Sequence, residues 1–351
     1  MAFIFADSFD FYNNSSGVAQ VIQGGWTSWG GGGGPTSDVS RFNLGSSYSV
    51  AGGDRIWKNF ASPSSNTVFI AFATLRGHGF SNNNTSQYVT LYENSTEQVS
   101  VCFTGLGSIV VRKGDYSTGD VLAEFPNAFE PGVWHHWQIK VVLDTVSGSV
   151  TIRQDGAPTN TYIIENVDTM MTFSNFADAV EIGGNSDPYY NRSYFDDFFI
   201  IDNTGSSPND WPGDVRCIPL TPISNGSTVG FTPQTGSNYQ MINELQQDGD
   251  TTFNYSGTPG TLDLFNTQQL TVTPENIYAL TVKVVARKSD TAYRSGATAL
   301  RINNQLEVGQ TKILSSTYTG LIDTYVTNPT NSIPWTLNDI NNLETGYTVI
   351  E

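Results

Sequence analysis

Apolar and polar positions alternate with a period of two along most of this chain. From Trp137 the apolar residues are Trp137, Ile139, Val141 and Leu143, and after a Gly/Ser turn Val150 and Ile152 resume the pattern. Such alternation marks strands with one face turned to a core. Asp155-Gly156 closes the second run, a dipeptide suited to positive φ angles. Further strand-like runs are Thr67–Ala73, Gln87–Tyr92, Gln98–Phe103 and Ser108–Arg112. Phe3–Tyr12 opens the series and Tyr194–Ile201 ends it. Short strands parted by Asn, Gly, Ser and Asp predict a β-sandwich over residues 1–205.

The pattern then breaks. Asp202–Asp214 holds two prolines, two glycines and no apolar period, which predicts a boundary, with residues 206–214 as linker and 215–351 as a second domain. Patterning restarts at Val215–Leu220. Ile277–Arg287 is the strongest strand signal there, and Ala297–Ile302 is expected to return antiparallel to it across Lys288–Gly296. One helix is predicted near the C-terminus: Thr336 caps it with Asp339 as capping-box partner, Leu337, Ile340 and Leu343 or Glu344 keep i, i+3, i+6 spacing, and Gly346 stops it. Tyr347–Ile350 reads as a last strand. The chain is therefore expected to be all-β, with two jelly-roll-like β-sandwich domains and one short helix.

Composition narrows the function classes. Charged residues make up 14% of the 351, and 16 basic against 33 acidic side chains leave a net charge of −17. Nucleic-acid binding needs clustered Lys and Arg to neutralise phosphates, so it is not expected. No apolar run approaches the ~18 residues of a membrane helix. The opening residues lack a basic segment and a long apolar stretch, so synthesis in a cytoplasm is expected. Cys102 and Cys217, in strand-like settings assigned to different domains, are expected to be free thiols.

Two resemblances follow from particular residues. The Trp137–Asp144 strand, its Gly/Ser turn and the Val150–Gly156 return resemble the hairpin of laminin-G-like and concanavalin-A-like lectin domains. Residues 196–216, Gln247–Phe253, Val284–Asp290 and the stretch from Asn328 through Gly346 are similar to segments of tailed-bacteriophage virion structural proteins. Together these cover most of residues 190–351. The second resemblance implies a particle component, on the capsid as decoration or on the tail or a fibre. It would assemble with other virion proteins, as a homo-oligomer in the particle. The first allows an alternative: a receptor-binding module recognising host-surface glycan.

Candidate chemistry is sparse, and no enzyme is expected. Glycan-cleaving sandwiches carry paired carboxylates on one strand face, whereas Asp196 and Asp197 are adjacent and are expected to point to opposite faces. His135 and His136 are adjacent too, and His78 stands in a loop with no nucleophile motif, so structural histidines are expected. The glycine run Gly30–Gly34 lacks the lysine of a phosphate loop. Trp26 and Trp29, flanking that run, are the candidate ligand-binding residues, for stacking on a sugar or docking on a partner. Asp7, Asp10, Asp196 and Asp197, in the first and last strands of the sandwich, are the candidate calcium ligands should they converge. No other cofactor is implied.

Overall fold

The hairpin that opened the sequence reading forms as patterned. Trp134–Val142 pairs antiparallel with Gly148–Gln154, Ile139 opposite Ile152 and Val141 opposite Val150. Asp155 (φ 54) and Gly156 (φ 69) both take the left-handed conformation their turn requires. The computed structural model describes residues 3–14, 17–29, 33–61, 65–76, 85–156, 159–184, 192–205 and 209–351. Among these the chain is all-β, with two short helices, Ala19–Gln23 and Leu337–Asn342. It divides into two units, Met1–Cys217 and Ile218–Glu351.

The first unit is a two-sheet sandwich. One sheet of eight strands runs in the order Thr161–Val167, Gly148–Gln154, Trp134–Val142, Thr67–Arg76, Ser193–Asp202, Ser47–Val50, Gly34–Thr36, with Phe3–Asp7 also on Ser193–Asp202. The opening and closing strands thus lie side by side. The second sheet has seven strands: Asp120–Phe125, Ile109–Lys113, Thr96–Thr104, Thr85–Glu93, Ala179–Gly183, Arg55–Asn59, Thr27–Trp29. Alternate residues of both sheets meet between them, among them Val68, Ile70, Phe72, Trp137 and Ile139 from one and Val89, Leu91, Val101, Val180 and Ile182 from the other.

The segment 209–217, read from sequence as linker and strand restart, instead lies along the outer face of the eight-stranded sheet. Trp211 packs edge-on against Phe69 beneath the guanidinium of Arg153. The Gly213 N–H donates to Gln138 Oε1 at 2.9 Å, and Asp214 pairs with Arg41 at 2.7 Å. This cover explains why Thr67–Arg76 reads as a nearly unbroken apolar run: its outer residues are buried as well as its inner ones. Both cysteines therefore fall in the first unit, as free thiols.

In the second unit a six-stranded sheet runs Pro222–Val229, Leu262–Thr267, Glu344–Val349, Ser295–Ile302, Gln305–Val308, with Lys312–Ile313 also on Ser295–Ile302. The expected hairpin between the strands near 280 and 297 does not form. Leu280–Ala286 pairs with Thr319–Tyr325, while Ser295–Ile302 pairs with the C-terminal strand. Alternation tells which face of a strand is buried, not which strand lies beside it. The helix Leu337–Asn342 has the predicted reciprocal cap between Thr336 and Asp339, and Ile340 and Leu343 enter a core with Val282, Leu300, Ile302 and Trp335. Gly346 does not stop it. That residue lies inside the final strand, where a Cβ would meet the Asp263 carbonyl oxygen at 1.8 Å.

Candidate functional site

The residues singled out from sequence fare differently. Trp26 is a core residue, 2% exposed, with its indole N–H donating to Asp7 Oδ2 at 2.8 Å and its ring stacked on Phe9 at 5.7 Å. It offers no face to a ligand. Trp29 pairs through its backbone with Arg55, and its side chain lies outside the described residues, as does His78. His135 bonds Asp155 and the Glu130 carbonyl. His136 is buried beneath the 209–217 segment, and burial lowers it to about 4.

Asp7, Asp10, Asp196 and Asp197 do converge. The sequence expectation that Asp196 and Asp197 face oppositely fails, because the strand bulges between Asp196 and Phe199 and Asp197 takes φ 49. Both then engage Arg41: Asp196 Oδ2 accepts its backbone N–H at 2.8 Å and Asp197 Oδ2 meets its guanidinium at 3.0 Å. Asp197 Oδ1 accepts the Cys217 N–H, and Asp7 accepts from Phe9, Tyr12 and Trp26. Burial, with repulsion from Asp197 and Asp10, raises Asp196, and burial raises Asp197 against the pull of Arg41 and the Cys217 N–H. Burial with repulsion from Asp197 and Asp7 lifts Asp10 to about 8. Their oxygens are served by protein donors. Among the described residues no three or more His, Cys, Asp or Glu side chains are placed to hold a metal ion.

A different constellation lies on the outer face of the seven-stranded sheet. Since Val89, Leu91, Val180, Ile182 and Ile56 face the core, their neighbours Tyr88, Thr90, Tyr92, Glu181, Arg55 and Trp57 share the opposite face. Glu181 is its centre. Its Oε1 accepts the Tyr88 hydroxyl at 2.9 Å, its Oε2 lies 3.1 Å from the Tyr92 hydroxyl, and Arg55 stands 3.6 Å away. Burial pushes the Glu181 carboxyl above its ordinary value, against the pull of Arg55 and the two phenols.

Glu97 joins from the next strand through a second bulge. Leu91 opposes Val99 but Tyr92 opposes Glu97, so Glu97 and Gln98 share one place in the register. The Tyr92 hydroxyl is 3.2 Å from Glu97 Oε1. The loop after Ile109–Lys113 folds over this face: Ser100 Oγ donates to the Gly114 carbonyl at 2.6 Å, and Tyr116 lies flat on Tyr88. At the Glu97 end, Gln98 Oε1 accepts the N–H groups of Met171 and Thr172. The following residue, Phe173, is fully exposed. Half-buried Tyr92, Trp57, Arg55 and Glu97 thus line a strip walled by Tyr116 and rimmed by the Met171–Phe173 loop.

None of these residues was singled out from sequence, although the alternating run Gln87–Tyr92 already put Tyr88, Thr90 and Tyr92 on one face. Glu97 and Glu181 are 84 positions apart in the chain, and nothing local joins them.

No protein-family model matches this chain, and no curated protein does. Solved structures do resemble it. Lectin II from Ulex europaeus aligns over 56% of this chain and 97% of its own, at 12% identity and a TM-score of 0.37. A carbohydrate-binding module from Bacillus subtilis aligns over 51% and 96%, at 12% identity and a TM-score of 0.34. An alginate lyase in complex with an alginate trisaccharide aligns over 57% and 98%, at 10% identity and a TM-score of 0.37. They assign no residue and no activity to this chain.

Proposed function

We propose that the first unit binds glycan along the outer face of its seven-stranded sheet, without cleaving it. The observation that carries this reading is the grouping of Tyr88, Tyr116, Tyr92, Trp57, Arg55, Glu181 and Glu97 on one face. Sugar rings present apolar faces and hydroxyl edges, and aromatic rings beside fixed hydrogen-bonding groups are their complement. Glu97 and Glu181 touch the same phenol oxygen, so their carboxyls stand close to the separations used by paired catalytic carboxylates. Hydrolysis is nonetheless disfavoured, because both Glu181 oxygens are taken up by Tyr88 and Tyr92 and the side chain is 5% exposed.

A glycan array followed by titration calorimetry tests the reading, with Tyr116→Ala as the comparison. Binding by the native protein that falls at least tenfold in the variant, with no reducing ends released, is the expected result. Equal binding by both would overturn it.

The setting we propose for this module is the virion of a tailed phage, as a non-catalytic structural component made in the host cytoplasm. It would assemble with other virion proteins and with copies of itself. This rests on the resemblance of residues 190–351 to virion proteins. Cryo-electron microscopy of particles tests it, and absence of the chain from them would reject it.

A further inference from the structure

Tyr92 has one hydroxyl proton and two carboxylates to serve. Its oxygen is 3.1 Å from Glu181 Oε2 and 3.2 Å from Glu97 Oε1, and a phenol donates one hydrogen bond. Burial and the two carboxylates hold that proton on the ring oxygen. Glu181 is the more buried acceptor, already oriented by Tyr88 and Arg55, so the Tyr92 proton is best placed on it. Glu97 then faces a phenol lone pair with no hydrogen between, an oxygen–oxygen contact that a donor offered to Glu97 relieves. Glu97 is half-buried, so a donor can come from the open side of the strip. Phe173 follows the Thr172 that bonds Gln98, the neighbour of Glu97, and its side chain is fully exposed.

We infer that Glu97 selects the ligand: the strip takes a glycan that offers a hydroxyl or ammonium donor to Glu97 while a sugar ring meets Phe173, and it refuses carboxylated sugars. The inference rests on the glycan-binding reading and deepens it. An ammonium group is the strongest donor of this kind, since a charge-assisted hydrogen bond to a carboxylate is about twice as strong as a neutral one. A uronate would bring a third carboxylate to Glu97 and Glu181, and the net charge of −17 opposes it at longer range.

The test is calorimetry with three β-1,4-linked tetramers, of glucosamine, N-acetylglucosamine and a uronic acid, on the intact chain and on Glu97→Gln and Phe173→Ala. Melting temperatures confirm that each variant is folded. The native protein should bind the glucosamine tetramer at least tenfold more tightly than the uronate. Glu97→Gln, whose amide supplies the missing donor to Tyr92, should cut that ratio about tenfold. Phe173→Ala should weaken whichever tetramers bind by a similar factor and leave the ratio unchanged. A native protein that binds uronate as well as glucosamine, or a Glu97→Gln variant that keeps the native ratio, would overturn the inference while leaving glycan binding in place. Failure of the native protein to bind any tetramer or any glycan on the array would remove both.

Discussion

Tyr116 lies on Tyr88 with ring centroids 3.9 Å apart and planes within 3° of parallel. One ring comes from a loop and the other from a strand, so this contact fixes the loop over the sheet face. Tyr88 is thereby 1% exposed, with its hydroxyl aimed at Glu181.

That hydroxyl leaves no room for a side chain at residue 183. A Cβ on Gly183 would lie 2.4 Å from the Tyr88 oxygen, so Gly183→Ala must push the phenol off Glu181. Overpacking of this kind costs about 1–3 kcal/mol. Urea denaturation of the variant should show a lower midpoint, and glycan affinity should fall with it. An unchanged midpoint would mean that the Tyr88–Glu181 contact adjusts freely.

Arg41 ties three parts of the first unit together. Its guanidinium meets Asp197 at 3.0 Å and Asp214 at 2.7 Å, and its own side chain is 10% exposed. Arg41→Ala strands Asp197 as a buried unpaired acid and frees one anchor of the 209–217 segment. The expected loss is about 3–5 kcal/mol. Hydrogen exchange should show faster exchange at the Gly213 and Cys217 amides, which donate to Gln138 and Asp197. Native exchange rates at both would show that the segment is held without Arg41.

Stability should fall as pH rises above 6.5. Burial, with repulsion from Asp197 and Asp7, lifts Asp10 to about 8, and burial with repulsion from Asp197 and Asp10 raises Asp196 as well. The folded protein therefore keeps protons that the unfolded chain, with its Asp near 3.9, has released. Stability from a raised carboxyl is complete below the unfolded value and is lost as pH climbs through the folded one. The limiting slope is about 1.4 kcal/mol per pH unit for each proton kept. His136, lowered to about 4 by burial, is neutral throughout this window. Denaturation at pH 6.5 through 9 checks the slope, and Asp196→Asn should flatten it. A flat native profile would show that these carboxyls are ionised in the folded protein.

In the second unit, Thr336 accepts the Asp339 N–H at 3.1 Å and Asp339 accepts the Thr336 N–H at 3.0 Å. Thr336→Ala removes one half of this exchange and should cost about 1 kcal/mol. Thr336→Ser, which keeps the hydroxyl, should restore most of it in thermal unfolding. Equal losses in both would place the effect in the methyl group.

Much of this architecture was legible before any coordinates. The Trp137–Ile152 hairpin and the Thr336–Asp339 box both depend on residues close in sequence or on simple alternation. One missed feature had left a trace: Phe195 and Phe198 both face the core, three positions apart rather than two. That break in phase marks the bulge that brings Asp196 and Asp197 together. The Glu97–Tyr92–Glu181 group left none, because a single added residue in one strand aims Glu97 at a tyrosine across the pair.

The sequence by itself determined the strand-forming segments, the buried face of each and the local turns and caps, because backbone conformation and side-chain alternation are set by near neighbours. Only the tertiary structure decided which strands pair, that 209–217 covers a sheet rather than linking domains, and that two glutamates from distant strands share one tyrosine. Those outcomes depend on long-range pairing, where burial of a face can be satisfied by more than one partner and the packed whole selects among them.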